Sequence, residues 1–196
     1  MIKMVCHIGT NIMIKTRNPN VNKIVFITYP RSGVNYFAEY FMQMAKFPFP
    51  RFHNYKFVEE GQETFTIVRN PLDTITSNVT MSMARNPGSD LKAIADADAK
   101  EYLDFYTNII NKKIDNIISY DDYLKNPKTI MINFLNYTKI EYKDVEYRNT
   151  LKDRGGYLVS SKTSNIYNSV LDYTITLNLL KHKEQYEMAL AKRKFS

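Results

Sequence analysis

Ile24-Val25-Phe26-Ile27-Thr28-Tyr29-Pro30-Arg31-Ser32-Gly33-Val34-Asn35-Tyr36 sets the architecture of this chain. Ile24–Thr28 is a short apolar, β-branched run, which predicts a buried strand. Pro30 and Gly33 mark a turn, with Arg31 and Ser32 between them. Beyond Gly33, the residues Tyr36, Phe37, Tyr40, Phe41 and Met44 recur at the spacing of one helix face. A strand, a glycine-bearing turn and a helix together aim several backbone N–H groups at one point, which is how folds hold an anion. Arg31 adds a permanent charge whose donor fork suits phosphate. A plain turn of the βα type, without a ligand, is the alternative that this stretch alone leaves open.

Outward from this turn, strands and helices alternate. The helix is expected over about 34–46 and is stopped by Pro48 and Pro50. Arg51–Val58 reads as a short strand and Thr64–Val68 as a buried one. Arg69-Asn70-Pro71 then opens a helix over 71–85, with proline in its first turn and Asp73 near its positive end. A long helix is expected over 90–113, a strand over Asn116–Tyr120, a helix over about 123–136, and helical structure again from Tyr167 to Leu190, as one helix or two. Ile8–Ile14 reads as an edge strand or a loose arm, and 141–165 as a loop lining a site or lying over one. The alternation predicts an α/β fold with three layers: a central, mainly parallel sheet with helices on both faces. Such sheets bind ligands in the turns after their strands.

With 196 residues and 44% hydrophobic content, one core and a single domain over 1–196 are expected. The net charge of +7 fits an acidic partner. The charge is dispersed, and no recognition helix or zinc-finger spacing occurs, so nucleic acid is not the expected partner. Cys6 is the only cysteine, which excludes an intrachain disulfide. The opening residues lack the apolar run of a signal peptide, and no stretch has the length of a membrane span. A cytoplasmic protein is the expectation.

Two strand exits carry basic residues: Tyr29–Gly33, and Arg69-Asn70-Pro71 with Ser77 eight residues after Arg69. Both corners at one sheet edge would suit a ligand with phosphates at its two ends. Arg69 as a solvated arginine and Ser77 as an ordinary helix hydroxyl is the competing reading. Among the three histidines, His53 lies between the corners, beside Arg51, while His7 and His182 have no obvious partners. No histidine pair has ligand spacing, so no metal is expected. The Gly-x-x-x-x-Gly-Lys pattern of a Walker loop and the Gly-x-Gly-x-x-Gly fingerprint are both missing, which disfavours a kinase or an NAD enzyme.

Thr28-Tyr29-Pro30-Arg31-Ser32-Gly33 with Tyr36 resembles the 5'-phosphosulfate signature of sulfotransferases that use 3'-phosphoadenylyl sulfate (PAPS), Thr-Tyr-Pro-Lys-Ser-Gly-Thr-Thr-Trp. Val68-Arg69-Asn70-Pro71-Leu72-Asp73 with Ser77 is similar to that family's 3'-phosphate signature, with the same interval. Ile117–Pro127 is similar to a later family stretch containing Tyr-Glu-Asp-Leu and proline, and the matches run in order over about 24–137.

The resemblance implies a P-loop-like sulfotransferase fold and transfer of a sulfonyl group from PAPS to an acceptor hydroxyl, or secondarily an amine, leaving adenosine 3',5'-bisphosphate. It implies nucleotide contacts from Tyr29, Pro30, Arg31, Ser32, Gly33, Val34, Asn35 and Tyr36, from Arg69 and Ser77 at the 3'-phosphate, and from Tyr120 and Arg154. It makes His53 the general base, Arg31 the counter-charge to the leaving phosphate and Arg51 a support for the sulfonyl oxygens. The acceptor would be a small molecule or a glycan; a homodimer is the default assembly. Three departures stand out. Arg31 replaces lysine, Val34 and Asn35 replace two threonines, and only Asp153-Arg154-Gly155 stands for the family's late Arg-Lys-Gly segment. Two other functions stay open: a P-loop-like nucleotide kinase or phosphotransferase, and a non-catalytic nucleotide-binding protein derived from a sulfotransferase.

Overall fold

The computed structural model describes residues 19–52, 61–148 and 165–195. Five strands form one sheet: β1 (Ile24–Ile27), β2 (Arg51–Phe52), β3 (Glu63–Val68), β4 (Asn116–Ser119) and β5 (Arg193–Phe195). Their order is β2-β1-β3-β4-β5, and every neighbouring pair is parallel. All four residues of β1 are buried, as an apolar run covered on both faces must be.

Alternation along the strands separates two cores. Ile24, Phe26, Phe65, Ile67 and Ile118 face one side, where they meet Phe37 and Phe41 of α1 (Val34–Ala45) and Phe134 of α5 (Pro127–Thr138). Phe26 lies at the centre of this side, 4.4 Å from the Phe49 ring and 5.4 Å from each of Phe37, Phe65 and Phe134. Each such ring pair adds about 0.5–1.5 kcal/mol beyond the area it buries. Ile27, Val68 and Ile117 face the other side, against α2 (Pro71–Arg85), α3 (Leu91–Asn111), α6 (Asn165–Thr176) and α7 (Leu180–Leu190). The result is the expected three-layer α/β arrangement.

The helices begin where local chemistry tells them to. Asn70 caps α2 by accepting from the Leu72 N–H at 2.9 Å, and Pro71 follows at the first helical position. Asp90 caps α3 through the N–H groups of Lys92 and Ala93, at 2.8 and 3.3 Å. Ser119 caps α4 (Tyr120–Lys125) by accepting from Asp122.

Some expectations need correction. The helix expected over 123–136 is two helices, α4 and α5, divided at Asn126-Pro127 because proline has no N–H to continue the first and suits the start of the second. Tyr120 opens α4 instead of closing β4. The Tyr167–Leu190 segment is helical as expected, in its two-helix form, while β5 follows it as a fifth strand outside the expected set. Of the strand expected over Arg51–Val58, only Arg51–Phe52 falls among the described residues; Ile8–Ile14 lies outside them. Among the described residues, no helix is long and apolar enough to cross a membrane.

The strand order locates the site. Reading outward, the chain passes from β1 to β2 on one side and to β3 on the other. The β1/β3 boundary is therefore the topological switch point, whose carboxyl-end crevice is where open α/β sheets bind ligands.

Candidate anion-binding site

The exit of β1 folds into a tight turn. The Ser32 N–H donates to the Tyr29 carbonyl at 3.2 Å, and the Tyr36 N–H donates to the Gly33 carbonyl at 3.1 Å as α1 begins. Two residues of this turn are left-handed, Arg31 at φ 65° and Gly33 at φ 95°. Gly33 is dictated twice over. Its φ disfavours a side chain, and an added Cβ would stand 2.1 Å from two carbons of the Tyr120 ring. Tyr29 turns its side chain away from this loop into the core. Its hydroxyl donates to the Asp98 carbonyl at 3.0 Å, its ring packs on Tyr102 and Phe105, and burial pushes its phenol far above the ordinary range.

The exit of β3 brings Arg69 to the same place. Arg69 Nη1 donates to the Arg31 carbonyl at 3.0 Å, and its guanidinium carbon lies 5.0 Å from the Tyr120 ring centre. Arg31 reaches across to α2, where Nε donates to Ser77 Oγ at 3.0 Å and Nη1 approaches Met81 Sδ at 3.8 Å. Ser77 and Met81 are one helical turn apart, so α2 offers both to the same guanidinium. Ser77, expected beside Arg69 at one anion, accepts from Arg31 of the other corner. The two basic corners form one site.

A small cleft of about 60 Å³ opens between them, lined by Arg31, Gly33, Val34, Asn35, Tyr36, Arg69 and Tyr120. That is far below the roughly 300–1,000 Å³ of a pocket enclosing a whole organic ligand. It suits the anionic head of a ligand whose body lies outside. Burial, and then the neighbouring Arg69, hold the Arg31 guanidinium below its usual value, and Arg85 acts in the same direction. Two buried polar atoms here have no hydrogen-bond partner among the described residues, Ser32 Oγ and Arg69 Nε. Unmade hydrogen bonds of this kind cost about 1–3 kcal/mol each. Like charges, orphaned donors and the first-turn amides of α1 all call for the same partner, an anion.

The other expected residues are placed as follows. Arg51, on β2, donates through Nη1 to Asn35 Oδ1 in the first turn of α1, beside the cleft but not on its wall. Tyr36 and Tyr120 stand at its rim with ring centres 6.5 Å apart. Pro30 is half-buried in the turn and Val34 is buried at the helix start. His53 and Arg154 lie outside the described residues. His182 is half-buried and structural, with Nε2 at 2.9 Å from the Ala99 carbonyl and its imidazole pushed down by burial. The part of 141–165 that is described, 141–148, lies along α1: Tyr40 donates to the Val145 carbonyl at 3.0 Å and Tyr147 to Glu39 at 2.8 Å. Among the described residues, no group of three or more His, Cys, Asp or Glu side chains could hold a metal ion.

Sequence reasoning missed several supports. Tyr102 and Tyr106 hold the Arg69 backbone, Met81 flanks Arg31, and Tyr123 donates to the Tyr36 carbonyl at 3.3 Å. Their only signal was apolar periodicity, which marks a tyrosine as core without saying where its hydroxyl goes. A scan against protein-family models finds none that matches the chain, and a search of curated proteins likewise finds no match.

Proposed function

We propose that the cleft at the β1 and β3 exits binds the phosphate groups of PAPS, and that the chain transfers its sulfonyl group to an acceptor hydroxyl in the manner of the P-loop-like sulfotransferases it resembles. One observation carries the reading: Arg31 and Arg69, from the two signature stretches, converge within one hydrogen bond of each other beside the orphaned Ser32 Oγ and Arg69 Nε. A ligand with phosphates at both ends of a nucleoside matches two adjacent cationic corners. A monoanion would leave one of them uncompensated.

In this reading the acceptor oxygen attacks sulfur as the bond from sulfur to the 5'-phosphate oxygen breaks. The acceptor proton goes to His53, and the negative charge left on the phosphate falls to Arg31 and to the amides of Gly33, Val34 and Asn35 at the start of α1. Donors fixed where charge develops contribute most to rate. Arg69 serves the 3'-phosphate, and Tyr36 and Tyr120 offer ring faces to the adenosine. Arg51, oriented by Asn35, supplies a further positive group beside the turn. The arginine in place of the family lysine keeps the charge and presents a bidentate fork to phosphate.

Titration calorimetry with adenosine 3',5'-bisphosphate and with ATP tests this. The bisphosphate is expected to bind much more tightly than ATP. Equal affinities, or no heat from either, would overturn the nucleotide assignment.

A further inference from the structure

The ladder between β3 and β4 ends at Val68 and Ser119, so the backbone of Arg69 has left the sheet before α2 begins at Pro71. Two phenols from α3 take over. The Arg69 N–H donates to Tyr106 Oη at 3.1 Å, Tyr102 Oη donates to the Arg69 carbonyl at 2.9 Å, and Tyr106 Oη lies 3.4 Å from that carbonyl. The two tyrosines are one helical turn apart and fully buried, and their rings stack with centres 4.2 Å apart and planes 18° apart. Packing alone does not require the hydroxyls, since phenylalanines would fill the same volume. The hydroxyls satisfy both backbone groups of one residue, and that residue carries the cation of the second corner. Burial pushes both phenols up, Tyr106 to about 12, so they stay protonated across the physiological range.

We propose that Tyr102 and Tyr106 are positioning residues of the anion site: by gripping the Arg69 backbone from both sides they fix the direction in which its guanidinium leaves β3, over Tyr120 and against the Arg31 carbonyl, without touching the ligand. The inference rests on the anion-binding part of the proposed function and not on the sulfonyl chemistry. Fixing a contact group through its backbone matters because the guanidinium has many rotamers, and a loosely held one loses that freedom only when the ligand binds.

The test is a double-mutant cycle on the full chain, with inorganic pyrophosphate as the calorimetric probe. Tyr106→Phe and Tyr102→Phe are each expected to melt cooperatively and to bind pyrophosphate about tenfold more weakly, the effect of one hydrogen bond's worth of positioning. In an Arg69→Ala background, which retains Arg31 as an anion contact, the same substitutions are expected to have no further effect. Unchanged affinity in the phenylalanine variants overturns the inference. So does an equal loss with and without the Arg69 side chain, because that marks a merely structural role. If Tyr106→Phe does not fold, the Tyr102→Phe arm decides alone. Wild-type protein that fails to bind pyrophosphate overturns the anion site itself and this inference with it. Pyrophosphate bound as well as adenosine 3',5'-bisphosphate, with the cycle as expected, removes the nucleotide reading and leaves the positioning role standing.

Discussion

Arg69 Nη1 donates to the backbone carbonyl of Arg31 at 3.0 Å, so the side chain of one basic corner holds the main chain of the other. The residue held is one that the backbone resists, since Arg31 sits at φ 65°. A left-handed conformation costs a residue with a side chain about 1–2 kcal/mol, and two guanidinium groups at close quarters add to that. Strain and like charge concentrated on one turn are what a site retains for the sake of a ligand.

Arg31→Gly should therefore separate stability from binding. Glycine adopts φ 65° freely, and the repulsion with Arg69 disappears, offset by the lost bond to Ser77. The expected outcome is a melting temperature equal to or above that of the wild type, with pyrophosphate affinity lower by at least about tenfold. A variant that melts several degrees lower would mean that Arg31 holds the turn together, and would remove the argument for a strained binding residue.

Gly33→Ala should act in the opposite sense, on the fold. The new Cβ meets the Tyr120 ring at 2.1 Å, a distance no rotamer of alanine relieves, at a φ of 95°. The destabilisation expected from strain and overpacking together is about 2–4 kcal/mol, read from urea unfolding. In a Tyr120→Ala background, which carries its own cavity cost, Gly33→Ala should cost only the strain share. An equal cost of Gly33→Ala in both backgrounds would show that the ring is not what Gly33 accommodates.

Asp98 gives the fold a pH dependence of its own. It is 9% exposed on α3, with Oδ2 unpartnered among the described residues. Burial raises its pKa to about 6, against an opposing hydrogen bond from Asn78. The native state thus holds this proton more tightly than the unfolded chain, so the stability is present below about pH 4 and is lost as pH rises through about 6. Asp98→Asn should remove that slope and raise stability at pH 7.5 by about 1–3 kcal/mol. Urea midpoints measured from pH 4.5 to 7.5 check it; parallel profiles for the two proteins would place the titration elsewhere.

The fold was readable where the signal is local. Pro30, Gly33, Asn70-Pro71 and the apolar runs before them announce strand exits by backbone chemistry that needs no tertiary context. β5 was not readable, because only Phe195 of its three residues is buried and a strand that short carries no period. The division at Asn126-Pro127 was overridden by the apolar stripe running through it. At the site, the convergence of the two corners followed from parallel topology, but the partners did not. Ser77 is eight residues from Arg69 in the chain, yet its hydroxyl accepts from Arg31, because pairing across β1 and β3 depends on register and on which way a long side chain turns. Tyr29 illustrates the reverse. It lies within the signature turn, but strand alternation sends its ring to the core.

His53 and Arg69 should fail in different ways, and the difference tests the division of labour. If His53 takes the acceptor proton, His53→Ala should lower turnover by about two to four orders of magnitude and leave the affinity for adenosine 3',5'-bisphosphate within about twofold. If Arg69 serves the 3'-phosphate, Arg69→Ala should instead weaken the bisphosphate more than adenosine 5'-phosphate. Isotopically followed sulfonyl transfer to a panel of hydroxyl acceptors supplies the rates, and calorimetry the affinities. Turnover unchanged in His53→Ala would exclude it as the base. Equal weakening of the two nucleotides in Arg69→Ala would leave the second corner without its 3'-phosphate role.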